Sequence, residues 1–353
     1  MNTTIRTAII GFGLSGRVFH APFINILDGF ELSKISTTNA DSIKLIHQLY
    51  TQTKIVASAD EIFNDAEIDL IIVASPNHFH FEHAKKALLA NKHVVVEKPF
   101  TTTTAEATEL IELSKKQNKI LSPYQNRRFI SDYKTVKKIL EQGLLGEIVN
   151  YEAYFDRFRP SPRTNGLWKE EVYPASGMVY DLGAHIIDQA LTLFGMPQAV
   201  TAQIGTQRKW CKTIDNYNVK LHYPTFTATL GTSMLAKIPR PTFLLHGTNG
   251  SFIKYGVDVQ EENLNNGAIP TGENWGKEPE NIWGTIDTES NGEKIIGKFE
   301  SEKGDYRDYF INLRDAIQGK TKLFVKPEDG QNIIQIIEAA YQSNNEQRTI
   351  KII

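Results

Sequence analysis

The stretch that decides the fold is RTAIIGFGLSG, residues 6–16. Arg6 to Ile10 are mostly apolar and β-prone, which predicts a buried first strand. Glycines follow at once, at Gly11, Gly13 and Gly16, in the pattern GxGxxG. In that pattern the first glycine allows a tight turn, the second lets a pyrophosphate approach the backbone, and the third lets the next helix pack against the strand. A helix opening there offers unpaired N–H groups and the positive end of its dipole to phosphates. Gly11, Gly13, Leu14, Ser15 and Gly16 are therefore the expected pyrophosphate loop. The bare motif also fits a turn of purely structural use, but its place at the head of a strand–helix series favours a dinucleotide.

That series runs on through residue 124. A helix is predicted over 18–27, disturbed or shortened by Pro22. A strand over 31–37 and a helix over 41–50 follow, the latter with Ile43, Ile46 and Leu49 at helical spacing. IDLIIVA, residues 68–74, is a near-continuous apolar run, as expected of a strand covered on both faces. Helix 78–90, strand 94–97, helix 105–117 and strand 119–124 complete the alternation. The expectation is an α/β fold, with a doubly wound parallel sheet in a dinucleotide-binding domain over 1–124.

Beyond it the pattern changes. A helix is predicted over 132–142, a long strand over 147–157, and a helix over 181–194. Strands then follow at 199–206, 217–223, 225–235, 243–246 and 251–255, the last two joined by an Asn-Gly turn. Successive strands with tight turns predict a mostly antiparallel sheet in a second domain, 125–353. Residues 260–291 are rich in Asn, Gly, Glu and Pro and read as a long irregular excursion. Two late helices are expected, at 306–318 and 328–343.

Composition bounds the function. The 353 residues leave room for two domains. With 41% hydrophobic and 23% charged residues the chain is ordinary for a soluble globular protein. Lys and Arg number 39 against 41 Asp and Glu, a net charge of −2, so no global field draws nucleic acid or an anionic membrane. No apolar window is long enough for a transmembrane helix, and the first residues lack the apolar core of a signal peptide. Cys211 is the only cysteine, which excludes an intrachain disulfide and thiolate metal clusters. A reducing, cytoplasmic setting is the simplest expectation.

An NAD site usually places Asp or Glu about 20 residues beyond the glycines. Here that region reads Thr37, Thr38, Asn39, with no carboxylate. An anionic side chain would repel a 2′-phosphate, whereas hydroxyls and an amide accept one, so NADP is favoured over NAD. Arg17 and Lys44 are candidate basic helpers.

Two segments carry chemistry. Glu97, Lys98 and Pro99 follow a predicted buried strand, and the carboxyl ends of such strands border the ligand crevice. A lysine there can donate to a substrate oxygen; alone it also reads as an ordinary strand-end lysine. GMVYDLGAHIIDQA, residues 177–190, holds Asp181, Gly183, His185 and Asp188. On a helix Asp181 and His185 share a face. Histidine suits proton transfer near neutral pH, and a carboxylate beside it favours its protonated form. The same residues also read as a capping acid with a core histidine, or as metal ligands. No second His-rich element is apparent, and no metal is expected.

In order, GxGxxG, then SPNxxH (Ser75, Pro76, Asn77, His80), then EKP, then DxGxHxxD resemble the glucose–fructose oxidoreductase, inositol dehydrogenase and rhizopine-catabolism (Gfo/Idh/MocA) family. The resemblance covers nearly the whole chain. GFGLSGRVFHAPF, YQNRRF, FDRFRP followed by Trp168, DLGAHIIDQALTLFGMP and GTNGSFIKYG are similar to its NADP-dependent scyllo-inositol dehydrogenase subgroup. The resemblance implies an N-terminal Rossmann domain and a C-terminal α/β domain with a large open, mostly antiparallel sheet that forms homodimers or homotetramers. It implies that Lys98 contacts substrate and nicotinamide, that His185 is the catalytic acid/base, and that Asp181 is the carboxylate beside it. Ser75, Pro76, Asn77, His80 and Glu97 are then on the cofactor side. Relatives in the subgroup often carry an arginine after the second strand, near the place of Asn39 here.

The expected activity is NAD(P)-dependent hydride transfer at a secondary alcohol of a small-molecule polyol or sugar. Asn126, Arg127, Tyr154, Asp156, Arg157 and Trp168 are the substrate candidates, with Arg128 and Arg159 beside them. Asp and Arg can bracket vicinal hydroxyls, and Trp can cover an apolar sugar face. Arg127 and Arg128 also suit a carboxylated or phosphorylated substrate. The alternatives are a non-catalytic dinucleotide-binding sensor, for which Lys98, Asp181 and His185 have no chemical use, and a reductase of the same fold acting on a tetrapyrrole or dihydrodiol.

Overall fold

The computed structural model describes residues 4–162, 170–290 and 292–352. They form two compact units. The first gathers Met1–Asn126, Glu261–Glu273 and Tyr306–Gln331. Its strands are β1 (Ile5–Ile10), β2 (Phe30–Ser36), β3 (Lys54–Val56), β4 (Leu70–Val73), β5 (His93–Val96) and β6 (Leu121–Pro123). All pair in parallel, in the order β3-β2-β1-β4-β5-β6. That is the doubly wound order of a dinucleotide fold, and the order reverses between β1 and β4. All four residues of β4 are buried, as the apolar run 68–74 requires.

The helices between these strands are α1 (Ala21–Ile26), α2 (Ala40–Leu49), α3 (Asp60–Phe63), α4 (His80–Leu89) and α5 (Thr104–Lys116). The disturbance expected at Pro22 is present. The chain is helical from 14 to 26, but a π-helical turn at Gly16–His20 precedes the short α1, with Pro22, which has no N–H to give to the preceding turn, in the first turn of α1. α5 opens on a capping box: Thr103 Oγ1 accepts from the Glu106 N–H, and the Glu106 carboxylate accepts from the Thr103 N–H. The short β3 and α3 lay outside the predicted elements.

The chain returns to this unit twice, and aromatic packing explains the second return. The helix Arg307–Ile317 brings a fully buried Phe310, which stacks on Phe23 with ring centroids 5.3 Å apart. Its neighbour Tyr309 donates to Ser122 Oγ at 2.9 Å.

The second unit comprises Arg127–Gln260, Asn274–Asp305 and Asn332–Ile353. Its nine strands are β7 (Ile148–Tyr154), β8 (Ala199–Gly205), β9 (Asn216–His222), β10 (Thr227–Ser233), β11 (Phe243–Gly247), β12 (Gly250–Lys254), β13 (Gly284–Ser290), β14 (Glu293–Phe299) and β15 (Ile350–Lys351). They run in the order β14-β13-β12-β11-β7-β10-β9-β8-β15. Every neighbouring pair is antiparallel except β7 with β10. Helices α6 (Ser131–Glu141) and α7 (Ala184–Phe194) belong to this unit. Tyr151 of β7 meets Phe194 of α7 edge-on at 5.1 Å, so Tyr151 and Ala153 face α7. By the two-residue period of a strand, Glu152 and Tyr154 lie on the other face, where Tyr154 donates to Glu152 at 2.6 Å.

The excursion expected over 260–291 is irregular in its middle, from 266 to 279, but not at its ends. A short helix, Gln260–Asn265, opens it, and β13 closes it, paired with an unforeseen β14. Of the positions that β13 buries, only Ile286 is a large apolar residue, and β14 is exposed along most of its length, so neither strand carries a hydropathy signal. Charged residues such as Glu293, Lys294 and Lys298 suit an edge strand. Among the described residues no helix is long and apolar enough to cross a membrane.

Phe310→Ala is expected to destabilise the first unit by about 3–5 kcal/mol. The check is a lower denaturant midpoint; an unchanged midpoint contradicts the packing described.

Candidate functional site

In the first unit the candidate residues collect at the carboxyl ends of β1, β4 and β5. Gly11 follows β1 with φ +93°, and a Cβ there would stand 2.6 Å from the Ala74 carbonyl oxygen. No other residue type fits without a shift. At Gly13 the opposite holds: nothing lies within 4 Å of where a Cβ would be. The backbone at Gly13 is thus open to a close-approaching group, with Leu14 and Ser15 leading into the helical stretch. A pyrophosphate fits this cradle.

The turn after β2 is built from the predicted polar residues. Asn39 caps α2, its Oδ1 accepting from the Ser42 N–H at 2.8 Å, and Thr37 Oγ1 accepts from the Asn39 N–H at 3.3 Å. Thr38 is exposed. Ser42 Oγ donates to the Phe12 carbonyl at 3.3 Å, which ties this turn to the glycine loop. Exposed Arg17 lies close enough to Tyr50 to be felt there: burial pushes the phenol up to about 12, and the guanidinium pulls against it. Tyr50 in turn meets Phe12 edge-on at 6.3 Å. Arg17 therefore brings positive charge to the side of the loop that carries Phe12 and Tyr50.

After β4 and β5 lie the SPN and EKP segments. Ser75 Oγ bonds His83 Nδ1 at 3.1 Å; Pro76 and Asn77 are half-buried. His80, expected on the cofactor side, is only 1% exposed, and both ring nitrogens face backbone carbonyls, Ser75 O at 2.9 Å and Pro99 O at 2.7 Å. Glu97 is also buried. Its Oε1 meets His20 Nε2 at 2.8 Å and its Oε2 accepts from the Lys98 N–H at 3.0 Å. Burial opposes the Glu97 charge, but the His20 hydrogen bond and the charges of His20, Lys98 and His80 outweigh it and hold the carboxyl below its ordinary range. Glu97 and His80 thus hold backbone, whereas Lys98 is half-buried at the turn they hold. His20 is wholly buried, and its contact spans 77 residues, which no local pattern announces.

In the second unit Asp181 sits in a π-helical turn, Val179–Gly183, and His185 in the first turn of α7. Four residues are slightly more than an α turn and slightly less than a π turn, so the two still share a face. His185 is 6% exposed and Asp181 half-buried. Tyr217 lies under this junction: a Cβ on Gly183 would stand 3.4 Å from its hydroxyl. Burial holds the Tyr173 and Tyr217 phenols protonated, and the Asp181 charge reinforces that in both. Asp188, the last acid of the motif, is committed elsewhere. It makes a buried two-pronged pair with Arg128, at 2.9 Å to Nε and 2.5 Å to Nη2.

The substrate candidates divide. Asn126 and Arg127 are buried. Arg127 and Arg157 both lie over the Phe155 ring, at 4.5 and 4.8 Å. Tyr154 and Asp156 are engaged in a different cluster. Arg240 lies 3.9 Å over the Tyr154 ring and grips Asp156 through Nε at 2.8 Å and Nη2 at 2.7 Å. Asp156 also accepts the N–H groups of Ser233 and Arg240, and its side chain has no exposed surface. Burial raises its pKa, but these four contacts win and hold it low. No local motif marks Arg240, which is 84 residues from Asp156. Trp168 lies outside the described residues.

Residues 5–125 match the oxidoreductase family's NAD-binding Rossmann fold, and residues 137–352 match its C-terminal alpha/beta domain. The chain belongs to the Gfo/Idh/MocA oxidoreductase family. Among its relatives is a scyllo-inositol 2-dehydrogenase (NADP(+)) of Bacillus subtilis, 38% identical over 99% of this chain and 96% of that protein. A D-glucoside 3-dehydrogenase of Escherichia coli is 26% identical over 97% of this chain and 96% of that protein. The solved structure of yvaA from Bacillus subtilis has a TM-score of 0.95 at 37% identity, covering 100% of this chain and 99% of that one. The six-stranded parallel sheet and the mixed, mostly antiparallel nine-stranded sheet are those of a Gfo/Idh/MocA oxidoreductase.

The Asp156 cluster makes a pH prediction. Its depressed pKa means that the contribution is full above the ordinary carboxylate value of about 3.9 and is lost as pH falls through the folded value. Asp156→Asn is expected to lower the melting temperature at neutral pH and to shrink its drop on acidification. An unaltered acid limb contradicts the assignment.

Proposed function

We propose that this protein is a dehydrogenase of a secondary alcohol in a polyol or sugar, with NADP preferred over NAD. The observation that carries the reading is the turn that presents Asp181 and His185 on one face at the head of α7. The inositol and glucoside dehydrogenases among its relatives support the substrate class.

Nicotinamide, when bound, exchanges a hydride with the carbon that bears the hydroxyl. In this reading His185 removes the hydroxyl proton during oxidation and returns it during reduction. Asp181 orients the imidazole and favours its cationic form. Lys98 donates to the reacting oxygen and stabilises the charge that develops there. Glu97 acts through the backbone, holding the Lys98 N–H. The glycine loop takes the pyrophosphate. Thr37, Thr38 and Asn39 leave the end of β2 without a carboxylate, and Arg17 supplies positive charge nearby; both support a 2′-phosphate. We assign cofactor binding to residues 1–124 and substrate binding and self-association to 125–353. Arg127 and Arg157 beside Phe155, with Asn126, are the substrate contacts we favour, and Asp156 serves as support. A cytoplasmic homo-oligomer belongs to the same reading, and light scattering tests the assembly.

His185→Ala is expected to lower turnover by about 10²–10⁴-fold with cofactor and substrate saturating. Near-normal turnover removes His185 from the role. The wild-type protein, screened against inositol isomers, aldoses and their keto forms with each cofactor, is expected to be most active with NADP. Activity confined to NAD contradicts the cofactor choice. Tight cofactor binding with silence on every polyol and sugar contradicts the dehydrogenase reading.

A further inference from the structure

His80 opens α4, and its ring sits between two segments of the first unit that are distant in sequence. Ser75 follows β4 and Pro99 follows β5. The carbonyl oxygen of Ser75 lies 2.9 Å from Nε2, and that of Pro99 lies 2.7 Å from Nδ1. Both are hydrogen-bond distances, and both partners are acceptors only. A neutral imidazole has one N–H and one bare nitrogen, so it can serve one carbonyl and must set a lone pair against the other. The imidazolium serves both.

The surroundings pull in both directions. Burial disfavours the cation and draws the pKa of His80 down, and the Lys98 ammonium works the same way. The two carbonyls and the Glu97 carboxylate favour the charge. His83, one turn along α4, is the other titratable group whose charge couples to this ring. Burial draws its pKa down too, and its Nδ1 is engaged with Ser75 Oγ. Geometry decides between these pulls, because a bare nitrogen 2.7 or 2.9 Å from a carbonyl oxygen is repulsive and both carbonyls are in place.

We propose that His80 is a positioning residue whose ring, held as an imidazolium, donates to the Ser75 and Pro99 carbonyls and so sets the Ser75–Pro76–Asn77 loop against the Lys98–Pro99 turn. Glu97 grips the same turn by the Lys98 N–H and is itself anchored on His20. Lys98 is thereby held from two sides. His80 contacts backbone, not substrate, and its effect reaches the chemistry through the two segments that it joins. The consequence for cofactor affinity rests on the nicotinamide reading given above; the protonation of the ring does not.

The test has two arms. In the first, ¹⁵N-labelled wild-type protein is examined by long-range proton–nitrogen NMR at neutral pH. Both ring nitrogens of His80 are expected in the protonated range; a bare, pyridine-like nitrogen on His80 overturns the proposal. In the second, NADPH binding is titrated by fluorescence for the wild type and for His80→Gln. An affinity loss of about tenfold is expected from losing one charge-assisted tie. Unchanged affinity in a variant that keeps its melting temperature overturns the positioning role. Should His80→Gln not fold, the wild-type spectrum still decides. A bare nitrogen in an active dehydrogenase refutes this inference alone, whereas a protonated ring in a protein silent on every polyol refutes the activity alone.

Discussion

The Ala74 carbonyl oxygen occupies the space that a side chain on Gly11 would need, and the rest of the cofactor side depends on that close approach. It draws the turn after β1 against the end of β4, at the place where the strand order of the sheet reverses. Ser75 comes next in the chain, so the same contact sets where the SPN loop begins. Gly13, two residues on, has open space instead, and the difference between the two glycines separates a packing requirement from a binding one. The motif needs both.

In each unit, buried charge is spent on backbone. Glu97 holds the Lys98 N–H, His80 faces two carbonyls, and in the second unit Asp156 collects two N–H groups along with a guanidinium. Each is a polar group in a low-dielectric setting where leaving it unmatched is costly. Such groups define the path of loops that would otherwise be free to wander. Lys98, assigned to chemistry, stands next to the segment that Glu97 and His80 fix and does not have to order it.

Much of this was legible in the sequence, for physical reasons that differ by element. The run 68–74 announces β4 because a parallel strand is covered on both faces. The glycine loop is legible because its spacing is dictated by sterics, and the DxGxHxxD motif because helical periodicity puts Asp181 and His185 on one face. What stayed hidden depends on long-range contact. His20 and Glu97 are 77 residues apart, and Asp156 and Arg240 are 84 apart. Tyr154 and Asp156 read as sugar ligands because their chemistry suits hydroxyls; their place on the face away from α7 and their contacts with Arg240 are not written in any local pattern. β13 and β14 escaped because an exposed edge hairpin needs no apolar stripe.

The account's central claim, that this fold moves a hydride from a polyol carbon to nicotinamide, is tested most directly by isotope transfer. An inositol or sugar that the enzyme oxidises, deuterated at the carbinol carbon, is incubated with NADP and the reduced cofactor is analysed by mass spectrometry. The account predicts one deuterium in each reduced nicotinamide and a slower reaction for the labelled alcohol. Unlabelled reduced cofactor, with the deuterium lost to water, contradicts it.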